Sequence, residues 1–252
     1  MLTAYTHFGK NHLHFDVLDS TNTFAQNLIA KSSPMDGTVI SAGFQSQGRG
    51  QFDRKWLSNP GENLCFSIIV YPHFLQPNQQ FYLSMCIATA IAKALENEKV
   101  GNVKLKWPND LYIGPLKTGG ILIVNQLQGL KWASSVIGIG INVNQTSFDP
   151  ELPNPTSLAI HTSKVLNLKH LLDNILFQIE HDYNQYLRKA DFDHLFSTYH
   201  QYLLGHEQAV TYSSGEAIRQ GVLKGVMPDG RIWLEGEFGK ELFANGETSL
   251  TY

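Results

Sequence analysis

Apolar positions in this chain take two textures. Up to about residue 205 they alternate between continuous runs and helical spacing; beyond that they occur only in short runs. Thr38–Phe44 and Asn63–Val70 are continuous runs bounded by turn-forming residues, the pattern of buried strands. Asp19-Ser20-Thr21-Asn22 supplies N-cap residues just before Phe24, Leu28 and Ile29, which share one helical face. Across Gln79–Glu98, the positions Phe81, Met85, Ala88, Ala92 and Leu95 predict an amphipathic helix. Val103–Trp107 predicts a strand. Leu111–Ile113 and Gly120–Asn125, on either side of Gly114-Pro115, predict a hairpin. Trp132–Val143 predicts a long strand after the Gln128-Gly129 turn. Gly138 and Gly140 inside it mark close approach by a ligand or a neighbour. Asn167 caps a second long helix, with Leu168, Leu171, Leu172, Ile175, Leu176, Ile179, Tyr183 and Tyr186 on its apolar side. A shorter helix over about Asp191–Leu204 stops at Gly205. Five short runs follow: Ala209–Tyr212, Ala217–Val226, Arg231–Gly236, Glu241–Ala244 and Thr248–Tyr252. They predict a small barrel. The boundary is expected near Gly205, dividing residues 1–204 from 205–252. There is no internal repeat.

Composition narrows the class. A chain of 252 residues with 42% hydrophobic content can bury one large core, or one large and one small. A formal net charge of -3 argues against a general nucleic-acid binder, which carries a broad basic face. Cys65 and Cys86 sit in apolar runs and read as buried small hydrophobes, not as a disulfide or metal site. No metal-ligand set is predicted. Met1–His7 lacks a basic region followed by an apolar core, so no secretory signal is expected. No apolar stretch approaches the roughly 18–20 residues that cross a bilayer. The expectation is a soluble cytoplasmic protein without a membrane partner.

Four polar segments carry candidate chemistry. The loop Gly48-Arg49-Gly50-Gln51-Phe52-Asp53-Arg54-Lys55-Trp56 joins two glycines to three cations and ends on a flat apolar face. Glycine-exposed amides with clustered cations trap phosphate or carboxylate; as plain structure the loop is a surface hairpin. Ser20-Thr21-Asn22, as plain structure, is a helix cap. As chemistry, two hydroxyls and an amide at a helix start can hydrogen-bond a small polar head group. Gln45 precedes the glycine loop and adds an amide. Lys106-Trp107-Pro108-Asn109-Asp110 is either an ordinary turn or a site. In the second case Lys106 and Asn109 hold phosphate or base atoms, and Asp110 accepts a proton or positions an amine. Lys117-Thr118-Gly119-Gly120, followed by Gly138–Asn142, places a lysine where it can reach an anion while the glycines admit the ligand.

The order and spacing of these segments resemble the biotin–protein ligases, in the superfamily that also holds the lipoate–protein ligases. The likeness runs from Ser20 to about Leu158, and a small C-terminal barrel fits the same family. The glycine loop ending in Trp56 and the Lys106–Asp110 segment are its most specific marks. The resemblance implies an α+β fold: a mixed β-sheet with flanking helices, related to class II aminoacyl-tRNA synthetase catalytic domains. A small SH3-like barrel follows it. Many members carry an N-terminal DNA-binding module. About nineteen residues precede Ser20, so a single-function form that does not bind nucleic acid is expected.

The implied activity is a two-step acyl transfer. Biotin and ATP give biotinyl-5′-adenylate and pyrophosphate; a lysine of a biotin carboxyl carrier protein then takes the biotinyl group. On this resemblance Lys117 and Arg49 hold the carboxylate and α-phosphate. Arg54, Lys106 and Mg²⁺ hold the other phosphates. Ser20, Thr21, Asn22 and Gln45 bond the ureido ring. Trp56 covers the adenine, with Asn109 and Asn142 as polar contacts. Asp110 orients the incoming amine. Gly48, Gly50, Gly119 and Gly120 admit the ligands.

Two positions depart from the family's habit. The residue after Gly50, often basic, is Gln51, which puts its share of phosphate holding in doubt. The strand after Gly120 lacks the usual acidic residue. A lipoate or octanoate ligase is the nearest rival and would need a long apolar tunnel. A non-catalytic biotin binder would have no use for Lys106, Asp110 and Lys117 together. A transcriptional regulator is disfavoured by charge. A homodimer through an exposed sheet edge is possible within this reading.

Overall fold

The computed structural model describes residues 7–52, 54–129 and 131–252. The N-terminal residues 1–6, on which the leader expectation mostly rests, lie outside them, as does Asp53 of the glycine loop.

A seven-stranded sheet organises the larger part. Its strands are β1 (His12–Leu18), β2 (Thr38–Gln45), β3 (Leu64–Val70), β4 (Val103–Lys106), β5 (Asp110–Ile113), β6 (Leu116–Gln128) and β7 (Lys131–Ile141). Their order in space is β1-β2-β3-β7-β6-β5-β4. Only the β1–β2 pair is parallel; the other neighbours are antiparallel. The central strands are apolar without interruption because both faces are covered. Successive residues go to opposite cores. Val39, Ile68 and Ile137 face a large core with the helices α2 (Gln80–Asn97), α4 (Leu168–Asp182) and α5 (Phe192–Tyr202). Ile40, Ile69 and Val136 face a small core under α1 (Thr21–Lys31), closed by Ala25.

The helices show what the pattern could and could not predict. Ser20 caps α1: its hydroxyl accepts from the Thr23 amide at 3.4 Å. Asn167 caps α4 by accepting from the His170 amide. Helix α2 differs from the expected amphipathic form. Met85 through Ala92 are all buried, because α4 and α5 cover its outer side. Ala88, Ala90, Ala92 and Ala94 keep it slim enough for that central position. The strand that the apolar runs do not predict is β1. It is an edge strand, with Leu13 and Val17 exposed at 40% and 60%. The short helix α3 (Leu158–Thr162) is likewise unpredicted. Lys117 to Gly120 belong to β6 itself rather than to the connecting turn.

Beyond Gly205 lie β8 (Ala209–Ser214), β9 (Ala217–Val226), β10 (Ile232–Gly236), β11 (Gly239–Phe243) and β12 (Leu250–Thr251). They form an antiparallel sheet in the order β11-β10-β9-β8-β12. Two hydrogen bonds tie it to the larger part: the Trp107 indole donates to the Gly230 carbonyl at 2.9 Å and the Val226 amide to His200 Nε2 at 2.9 Å. Just before the sheet, the Leu204 amide donates to the Leu105 carbonyl at 2.9 Å.

Candidate active site

A cavity of about 230 Å³ opens on the α1 side of the large sheet. Its walls are the start of α1, strands β6 and β7, and the loop between β2 and β3. The floor is made of backbone. Gly120 pairs with Gly140, and Leu122 with Gly138, across β6 and β7. A Cβ on Gly138 would stand 2.8 Å from Asn22 Nδ2, and one on Gly140 2.5 Å from Trp56 Cε2. The glycines read from sequence as points of close approach therefore admit the Asn22 amide and the Trp56 indole.

At one end sit Ser20, Thr21 and Asn22, all buried. The Thr21 amide and hydroxyl donate to Gln45 Oε1 at 2.8 and 3.1 Å. The Thr21 hydroxyl also meets the buried Ser67 hydroxyl at 2.9 Å. Asn22 Nδ2 donates to the Leu122 carbonyl at 3.3 Å, and its Oδ1 accepts from Gln26 at 2.6 Å. The helix start and the polar pocket thus share the same three residues. Ser67 belongs to this network although nothing in its apolar run announces it.

At the other end Lys117 Nζ lies 2.6 Å from an Asp110 oxygen. Gly120 sits between them, with its missing Cβ 3.5 Å from Asp110 Oδ1 and 3.9 Å from Lys117 Cε. The Lys117 backbone is held on both sides: its amide donates to Asn154 and its carbonyl accepts from Thr156, each at 2.8 Å. That segment brings Leu152, Pro153 and Pro155 into the wall. The sequence reading assigns them no role; the closely spaced prolines were the available signal.

The glycine loop forms the roof. It is a narrow hairpin, with Arg49 bridged to Lys55, Gly50 N bonded to Arg54 O at 2.7 Å and Trp56 N to Gly48 O at 2.9 Å. Arg49, Gly50, Gln51, Arg54, Lys55 and Trp56 all line the cavity. No ion pair among the described residues involves Arg49, Arg54 or Lys55. Trp56 lies along the glycine floor, against Gly140 and Gly120.

Asn109 and Asn142 also line the cavity. Asn109 is pinned to β6, donating from Nδ2 to the Ile121 carbonyl at 2.9 Å. Asn142 Nδ2 donates to the Thr156 carbonyl at 3.0 Å, while its buried Oδ1 has no partner among the described residues. Trp56 Nε1 is likewise buried and unpartnered. Buried polar atoms without partners are uncommon, and these two offer one acceptor and one donor to a ligand.

Three of the residues singled out by sequence stand off this cavity. Gly48 lines an adjoining, broader groove that shares Ser20, Arg49 and Trp56 with the cavity. Gly119 is in strand packing, where a Cβ would stand 2.8 Å from the Gly140 carbonyl. Lys106 Nζ lies between the rings of Tyr112 and Tyr252, 5.3 and 5.1 Å from their centroids. Burial lowers its pKa, Asp110 opposes the fall, and Lys117 adds to it. Burial, with Asp110 nearby, pushes the Tyr112 hydroxyl up to about 12.

Comparison with known proteins agrees with this layout. Residues 14–142 match the family model described as the biotin/lipoate A/B protein ligase family. The bifunctional ligase/repressor BirA of Bacillus subtilis is 31% identical over 246 residues, covering 96% of this chain and 74% of that protein. Human biotin–protein ligase is 30% identical over 145 residues, covering 55% of this chain and 20% of that one. Among solved structures, the biotin protein ligase of Aquifex aeolicus in complex with biotin and ATP superposes with a TM-score of 0.80 at 29% identity. The match covers 96% of this chain and 99% of that one. With the family model spanning half of the sequence and the fold matched along nearly all of it, the chain belongs to the biotin/lipoate A/B protein ligase family.

Proposed function

We propose that this chain is an ATP-dependent biotin–protein ligase. It activates biotin as biotinyl-5′-AMP and transfers the biotinyl group to a lysine of a biotin carboxyl carrier protein domain. The observation that carries the reading is one cavity with a polar, hydrogen-bonding end at Ser20–Asn22 and Gln45 and an ion pair, Lys117–Asp110, at the other.

In the first step a biotin carboxylate oxygen attacks the α-phosphorus, and the bond to the β-phosphate oxygen breaks to release pyrophosphate. Two anions must approach each other, so the main requirement is positioning and counter-charge. Lys117 and Arg49 take the carboxylate and α-phosphate oxygens. Arg54 faces the remaining phosphates, and Lys106, set behind Asp110, adds positive potential. Asn142 Oδ1 suits a base N–H, and Trp56 supplies an aromatic face. In the second step the acceptor amine attacks the acyl carbon and AMP leaves. Asp110, released by Lys117, orients the amine and takes its proton. Mg²⁺ fits here as a companion of the triphosphate. Asp110 is the carboxylate in the described wall, and magnesium is commonly held by one carboxylate with phosphate and water.

The coarser parts of this reading have their own support. The division falls near Gly205. The small sheet is read as an SH3-like barrel because Tyr212 and Ser214 on β8 bond Glu241 on β11, with β9 and β10 between them in the sheet order, a contact that a curled sheet accounts for. Kinship with class II aminoacyl-tRNA synthetases rests on the common adenylation step. Free, buried Cys65 and Cys86 suit a reducing cytoplasm; no helix among the described residues is long and apolar enough to cross a membrane. Self-association is assigned to the β1 edge, where Leu13 and Val17 are exposed, since the β4 edge is occupied by Leu204.

The test is pyrophosphate release with biotin and ATP, followed by labelling of a carrier domain. Parallel calorimetric titrations use biotin and lipoate. Biotin-dependent release and labelling are expected. Lipoate binding in place of biotin moves the chain to the sister activity, and binding without release makes it a mere binder.

A further inference from the structure

Gln51 stands in the roof of the cavity at a place where a cation would suit the anionic ligand, and the structure gives it a different partner. Asn245, in the turn between β11 and β12, donates from Nδ2 to Gln51 Oε1 at 3.1 Å. Beside this pair, the Phe52 ring rests on Gly246. A Cβ there would stand 3.3 Å from the ring tip, and Gly246 has φ +92°. Phe52 itself has φ +52°, an unfavourable backbone for a bulky residue, and such a conformation persists only where neighbours hold it. Two contacts at the surface, with the Phe52 ring still 65% exposed, thus join one turn to the tip of the ligand loop.

The turn is braced by bonds of its own. Ala244 N donates to Glu247 Oε2 at 2.7 Å and Glu247 N to the Ala244 carbonyl at 3.1 Å, which rigidify the turn. The small sheet behind it is anchored elsewhere, through Trp107–Gly230 and His200–Val226. Beyond its Gly48–Trp56 closure, the backbone bonds within the tip among the described residues are Gly50–Arg54 and Arg54–Gln51. A second cavity, walled by Gln51, Asn109 and Asn245, separates the two parts.

We infer that the Asn245-Gly246 turn is a latch for the ligand loop, with Asn245 a positioning residue that acts through Gln51. The C-terminal sheet thereby governs how long the loop stays closed over the bound intermediate. An amide in place of a cation then serves loop closure instead of phosphate binding. The proposal rests on the ligase reading only in naming the intermediate as biotinyl-adenylate.

The experiment uses the full chain. Amide exchange is read at Gly50, Arg54 and Trp56 without ligand. Separately, the escape rate of preformed biotinyl-adenylate is followed in a chase. One neutral hydrogen bond is worth about a fivefold change in an equilibrium. Asn245→Ala and Gln51→Ala are each expected to raise exchange and escape about fivefold. The double variant should do no worse than either alone, and the exchanged pair Gln51→Asn with Asn245→Gln should restore both readouts. Unchanged exchange in Asn245→Ala, additive effects in the double variant, or no restoration by the exchanged pair would overturn the latch. Absence of adenylate in the unaltered protein refutes the ligase reading instead, and the exchange measurement still decides the latch.

Discussion

Lys117 Nζ and the Asp110 carboxylate are 2.6 Å apart, and each holds the other where a ligand would need one of them. On the proposed mechanism an arriving carboxylate and phosphate would draw Lys117 away and leave Asp110 ready for the acceptor amine. Lys117→Ala is therefore expected to slow adenylate formation by roughly a hundredfold or more, the scale of losing one aimed donor to developing charge. Asp110→Asn should spare adenylate formation more than amide transfer. Single-turnover assays of the two half-reactions check this. Near-normal adenylate formation in Lys117→Ala would remove it from the chemistry, and equal losses in Asp110→Asn would make Asp110 a nucleotide contact.

Gly138→Ala tests the polar end. Its Cβ would press on Asn22 Nδ2 at 2.8 Å and crowd the Leu122 carbonyl at 3.3 Å. The Asn22 amide then leaves its position in the pocket. Biotin affinity is expected to fall by about tenfold or more, as when a site loses the alignment of one buried hydrogen bond. Calorimetry against thermal melting separates this from unfolding, because the melting point should move little.

A stability prediction concerns Lys93 and Asp182, 2.9 Å apart where α2 meets α4. Asp182 is fully buried and also accepts from Gln178 and His181. Lys93→Met leaves that carboxylate without its cation and should cost about 3–5 kcal/mol. Replacing both, Lys93→Met with Asp182→Leu, should recover most of the loss. Denaturant unfolding measures it, and a single variant as stable as the parent would show that Gln178 and His181 suffice.

His200 makes the junction with the small sheet pH-sensitive. Its Nδ1 donates to the Phe196 carbonyl at 2.7 Å and its Nε2 accepts from the Val226 amide at 2.9 Å. Burial lowers its pKa below 6.5, with His206 adding to the fall. Protonation of Nε2 removes the acceptor. The unfolded chain takes up a proton near 6.5 while the folded one resists, so the contribution is whole above that pH. It is lost as pH falls from 6.5 toward the lowered folded value. The melting point should drop more steeply below pH 6.5 than in His200→Gln. Equal slopes would assign the acid sensitivity to another group, such as His12, whose pKa burial also lowers.

What the sequence made legible was local. Ser20–Asn22, the Gly48–Trp56 loop and Asp110 with Lys117 each announce themselves within a few residues, and they meet in one cavity. What stayed hidden depends on distant partners. Lys106 reads as a site cation, but its side chain is drawn between Tyr112 and Tyr252, the second of which comes from the far end of the chain. The 151–156 segment acts through backbone bonds to Lys117, and backbone bonds leave no signature in residue type. The β1 strand alternates at Leu13, Phe15 and Val17, but Leu13 and Val17 face solvent and the strand lacks the continuous apolar run of its neighbours. Gly138 and Gly140 announced a close approach without naming Asn22 and Trp56 as the visitors.

The Asn142 side chain cannot turn over. Its nitrogen is committed to the Thr156 carbonyl, so the oxygen alone is presented inward, buried and unsatisfied. If this side chain meets the base as proposed, the 6-amino group of adenine would offer that oxygen a hydrogen, whereas the 6-carbonyl of guanine would set oxygen against oxygen. On the proposed reading, a single hydrogen bond from one strand end to a neighbouring loop would be a means of telling adenine from guanine.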